Sequence, residues 1–184
     1  MSFVAGKHVL YFALLPPSGA AAAALAIAET ARRRHGLKAK PVAAARLHVS
    51  LNGVGAFKRP PGPVIDKAAD AAKSVAARPF TVEFNRLASW TPGATGRPLV
   101  LWGEEGVIGV NGLYSAIHKA LVRFGMAPRR EPRFEPHMTL LRDPGEAPDE
   151  VVPPLNWRVT EFVLVHAVHG EGRYEVAARF PLSG

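Results

Sequence analysis

The strongest constraint on how this chain folds is a short pattern written twice. Leu47-His48-Val49-Ser50-Leu51 alternates apolar and polar side chains, as a half-buried strand does. In the second half, Pro136-His137-Met138-Thr139-Leu140-Leu141 repeats the order histidine, apolar residue, hydroxyl residue, leucine. Side chains at i and i+2 of a strand share a face. Each segment therefore presents an imidazole beside a hydroxyl, His48 with Ser50 and His137 with Thr139. Such a repeat within 184 residues suggests two similar lobes facing each other across a cleft, so residues 1–184 read as a single bilobal domain.

The flanking segments fit that plan. His8 to Leu15 reads as a strand, Pro16-Pro17 and Ser18 as a turn, and Ala20 to Arg34 as a helix closed by Gly36. A competing reading takes Lys7 and the apolar run Val9 to Leu15 as a secretory signal, against which the paired prolines argue. Val64 to Ala76 has helical spacing and stops before Pro79. "FTVEFNRLASW" and "PLVLWGE" read as two strands joined by the turn-rich "TPGATGR". Val107 to Phe124 is an amphipathic helix with Leu113, Ile117, Leu121 and Phe124 on one face, closed by Gly125. The basic stretch "MAPRREPRFEP" leads into His137, and Asp143 to Pro154 reads as a loop. "RVTEFVLVHAVHG" and "RYEVAARFPL" read as a closing hairpin turned at Gly170-Glu171-Gly172. Beyond the N-terminus no segment approaches the ~20 apolar residues of a membrane span, so no membrane-spanning segment is expected.

Several chemistries are excluded outright. The chain has no cysteine, which removes disulfides, thiolate nucleophiles and Cys-ligated zinc. It contains no Walker loop and no GxGxxG, HExxH or GxSxG motif. The repeated histidines can do acid–base work, because the unperturbed pKa of imidazole lies near neutrality and one ring can take a proton while the other gives one. Displacement at the phosphorus of a cyclic phosphodiester needs that pairing, because the attacking water loses a proton and the departing ribose oxygen gains one on the far side. Ser50 and Thr139 can donate to the non-bridging oxygens. No metal or cofactor is required. A metal site from His48, His137 and Asp143 would lack any recognised ligand spacing. Taken singly, a strand histidine or hydroxyl is ordinarily structural; the repetition is what sets these four apart. His166 and His169 would point to opposite faces of a strand, and His8, His35 and His118 read as structural. A net charge of +8 favours an anionic partner without selecting among nucleic acid, nucleotide and acidic membrane surface.

"LHVSL" and "PHMTLLRD" resemble the paired His-x-Thr/Ser signatures of the two-histidine phosphoesterase superfamily, in particular its LigT-like RNA 2′,3′-cyclic phosphodiesterases, historically called 2′-5′ RNA ligases. "VLYFALLPP", "RPLVLWGE" and the closing hairpin resemble further family strands in the same order. The resemblance implies an α+β fold of two pseudo-symmetric lobes, antiparallel sheet with outer helices, each lobe giving one motif strand to a central cleft. It also implies metal-independent opening of 2′,3′-cyclic phosphates on RNA ends or nucleotides to the 2′-phosphate, with reverse 2′-5′ ligation as a further activity. His48 and His137 would be the catalytic pair, with Ser50 and Thr139 as phosphate donors. Family precedent makes His48 the acid and His137 the base, an assignment the residues leave open. Arg142 stands where relatives carry an arginine that would hold a phosphate, and Phe12 and Tyr11 match aromatic positions of which one would stack a base. Two departures are Ser50, where threonine is commoner, and Glu135, where relatives often carry a basic residue; Glu135 would raise the pKa of His137 or weaken binding of a polyanion. The expected protein is a cytoplasmic monomer without cofactor, the alternative being an RNA-end or nucleotide-binding module that uses the same cleft without turnover.

Overall fold

A computed structural model describes residues 7–93, 95–127 and 129–183. Its strands are β1 (His8–Leu14), β2 (Val49–Phe57), β3 (Phe80–Ser89), β4 (Arg97–Trp102), β5 (His137–Asp143), β6 (Glu150–Val159), β7 (Glu161–Val168) and β8 (Arg173–Pro181). The helices are α1 (Ser18–Arg34), α2 (Gly62–Lys73) and α3 (Ile108–Arg123). All eight strands form one antiparallel sheet in the order β6-β3-β4-β5-β2-β1-β7-β8. The fold is α+β.

The two halves of that sheet are joined at their centre by a single residue pair, Val49 with Met138. On one side lie β5, β4, β3 and β6, on the other β2, β1, β7 and β8. The half-sheets therefore do not correspond to the two halves of the chain. The β3–β4 hairpin, which precedes the second motif, pairs forward onto β5, and the closing hairpin returns to pair with β1. Helix α1 packs on β5 and β6, α2 on β8 and α3, and α3 on β2 and β3. Five alanines of α1 (Ala20, Ala21, Ala24, Ala28 and Ala31) are buried, and their small side chains let the helix lie close to the sheet. Gly36 and Gly125 follow α1 and α3 with φ of 65° and 66°, the left-handed conformation that glycine adopts without strain.

The region read as a loop from Asp143 to Pro154 differs in the structure, because β6 begins at Glu150 and carries Pro153 and Pro154 inside it. Both prolines lie on an edge strand within an irregularity of the β3–β6 register, where no ladder hydrogen bond is lost. Arg158 and Val159 accordingly end β6 rather than opening the closing hairpin. Helix α2 also ends three residues short of Ala76.

Candidate active site

Val49 and Met138 are both fully buried toward the helices. Alternation then sends their neighbours to the open face, and His48, Ser50, His137 and Thr139 are all half-buried. The antiparallel sense of the joint brings His48 toward Thr139 and Ser50 toward His137. The four residues singled out by the repeat thus gather on one side of the joint, imidazoles on one diagonal and hydroxyls on the other.

The two imidazoles are anchored alike. Nδ1 of His48 donates to the carbonyl of Arg46 at 2.8 Å, and Nδ1 of His137 donates to the carbonyl of Glu135 at 2.8 Å. A carbonyl only accepts, so each Nδ1 carries the proton and each Nε2 keeps its lone pair in the neutral ring. Burial depresses the pKa of His48 below the usual imidazole range, and the neighbouring charges of His137 and Arg46 add to this against the Arg46 carbonyl. Burial likewise depresses His137, helped by Arg142 and opposed by the carbonyl and the charge of Glu135. Glu135 therefore acts in the expected direction, but desolvation outweighs it. It precedes β5 and is exposed.

Arg142 reaches this neighbourhood through a bulge. Leu99 pairs with Leu141 and Val100 with Thr139, which leaves Leu140 as an extra residue. Leu140 and Leu141 are consecutively buried, so the alternation slips by one. On an unbroken strand Arg142 would face away from His137; here it is exposed and its charge acts on that ring. Asp143 takes the opposite course. Its buried carboxylate accepts from the backbone N–H of Lys38, Ala39 and Gly145 at 2.7, 2.6 and 2.8 Å, so it serves the loop before the first motif and not a metal at the histidines.

Phe12 is a correction. It is fully buried on the helix side against Phe162 and Phe180, with centroids 5.8 and 6.1 Å away. Tyr11, one residue earlier, takes the opposite face and lies 5.4 Å from the His48 ring. Tyr174 flanks the same ring at 5.9 Å. Burial, and secondarily the facing Tyr174, push the Tyr11 phenol well above its usual range. The histidine of the other half-sheet also has aromatic company: Trp90 lies 4.5 Å from the His137 ring, and Trp102 is its register partner on β4. The sequence reading missed Arg46, Tyr174, Trp90 and Trp102. Arg46 alone carried a signal, standing two residues before His48.

No curated protein matches the chain by sequence. The model of a family described as the 2′-5′ RNA ligase superfamily matches residues 16–171. Among solved structures, E. coli LigT in apo form superposes with a TM-score of 0.73 at 23% identity, over 98% of this chain and 100% of that one. E. coli LigT complexed with 3′-AMP gives 0.71 at 26% identity, over 96% and 99%. The protein TT0787 of Thermus thermophilus gives 0.70 at 26% identity, over 96% and 98%.

Proposed function

The chain belongs to the 2′-5′ RNA ligase superfamily, and on that footing we propose that it hydrolyses 2′,3′-cyclic phosphates of RNA ends or nucleotides to 2′-phosphomonoesters without a metal. The observation that carries the reading is the matched anchoring of two imidazoles, each with Nδ1 tied to a carbonyl and Nε2 left to exchange a proton. In this reading one Nε2 takes the proton of the attacking water while the other, as imidazolium, protonates the departing 3′ oxygen on the opposite side of phosphorus. Ser50 and Thr139, on the other diagonal, donate to the non-bridging oxygens, where the transition state gathers charge. Arg142 and Arg46 bring positive charge to the His137 and His48 sides respectively. The solved E. coli LigT complexes with 3′-AMP and with ATP support a nucleotide as the ligand class.

Turnover of a nucleoside 2′,3′-cyclic phosphate in excess EDTA tests this. The wild-type protein completes many turnovers, and His48→Ala and His137→Ala each lose ~10²- to 10⁴-fold in kcat/KM. Binding without turnover would make the chain a nucleotide-binding module, and activity that EDTA abolishes and a divalent ion restores would move the chemistry to a metal.

A further inference from the structure

Beside His137, on the side away from His48, the sheet surface opens into a groove of about 530 Å³ lined by Ser89, Trp90, Thr91, Pro98 and Glu135. Trp90 forms one wall and joins the groove to the histidine, its ring half-exposed and 4.5 Å from the His137 ring at an angle of 52°. Glu135 is exposed at the rim. None of the five lining residues carries a positive charge, and one carries a negative charge. The Glu135 carboxylate favours a flat group with hydrogen-bond donors on its edge, and Arg142, the register partner of Pro98, leaves room for a phosphate beside the groove.

We propose that this groove holds the nucleobase of the substrate and selects guanine; the inference rests on the nucleotide reading of the site given above. A base stacked on Trp90 has its own ribose phosphate within one nucleotide's length of His137. Guanine is the base whose pairing edge offers two adjacent donors, N1–H and the N2 amino group, and a carboxylate such as Glu135 accepts both at once. Adenine and cytosine offer one amino group. Uracil offers one N–H flanked by two carbonyl oxygens, which face the carboxylate with like charge.

The test compares kcat/KM for the four nucleoside 2′,3′-cyclic phosphates in the wild-type protein, Glu135→Gln and Trp90→Ala. The wild type prefers guanosine over uridine by about tenfold or more, the scale of a charge-assisted hydrogen-bond pair at a partly exposed rim. Glu135→Gln collapses that ratio, and Trp90→Ala raises KM for the purines most. Reading the ratio cancels any change that Glu135→Gln makes to His137, since that change acts on all four substrates alike. Four equal substrates, or a ratio unmoved by Glu135→Gln, would overturn the inference while leaving the hydrolase reading intact. If no cyclic nucleotide is turned over, the hydrolase reading fails, and calorimetric affinities for guanosine and uridine 2′-monophosphate decide the base preference by the same ratio.

Discussion

The Nδ1–H of His48 and that of His137 are each held by a carbonyl two residues upstream, and both rings are desolvated enough to resist protonation. Each folded pKa thus lies below the unfolded one. The stability tied to these rings is complete above the usual imidazole range and is lost as pH falls through the folded values. The same shift predicts the rate profile. In the proposed reaction one ring is neutral and the other protonated, so kcat/KM should be a bell whose two limbs belong to the pair, with its maximum on the acid side of ~6.5. A bound phosphate anion favours imidazolium, so the bell for kcat sits at higher pH than that for kcat/KM. Stopped assays from acid to alkaline pH check this, and a kcat/KM maximum in the alkaline range would contradict the desolvated pair. The period-two pattern made the four motif side chains legible. It could not choose between Phe12 and Tyr11, because adjacent aromatics take opposite faces whatever they are, and only the register of β1 decides which one meets His48.

At the scale of elements, the β5 bulge and the β6 prolines were invisible in the sequence for one reason. Both depend on what the neighbouring strand does. Leu140 and Leu141 resemble any pair of strand leucines until β4 fixes their partners, and Pro153-Pro154 looks like a loop until the edge position removes the need for their N–H groups. The bulge sends Arg142 out and Asp143 in. The three backbone donors at Asp143, chiefly those of Ala39 and Gly145, hold its pKa below the ordinary carboxylate range. Its stabilisation is therefore present above that range and lost as pH falls. Replacing it with alanine leaves the Lys38, Ala39 and Gly145 N–H groups without their charged acceptor, and Asp143→Ala should cost about 2–4 kcal/mol in urea denaturation. Asp143→Asn, which keeps one acceptor oxygen, should recover part of that. Val42 N–H also donates to the Leu140 carbonyl at 2.7 Å, so the same loop, leading to His48, is tied to the strand of His137. A stability unchanged in Asp143→Ala would show that this loop is held by other means.

Across the whole molecule, the repeat announced two related half-sheets, and two half-sheets of four strands meet at the residue between histidine and hydroxyl in each motif. Their composition was not legible, since a hairpin can pair forward or back and local patterning does not say which. The helices α1, α2 and α3 contribute to the same large core, and the motif side chains lie on the other face of the sheet. The positive charge of the chain, +8, suits an anionic substrate approaching that face. In the proposed reaction one phosphate is held between two histidines in a fixed orientation, which makes hydrolysis regiospecific. Phosphorus NMR of the product formed from a nucleoside 2′,3′-cyclic phosphate in EDTA reads this directly. The expected product is the 2′-phosphate alone; a clean 3′-phosphate, or a mixture of the two isomers, would contradict the two-sided site.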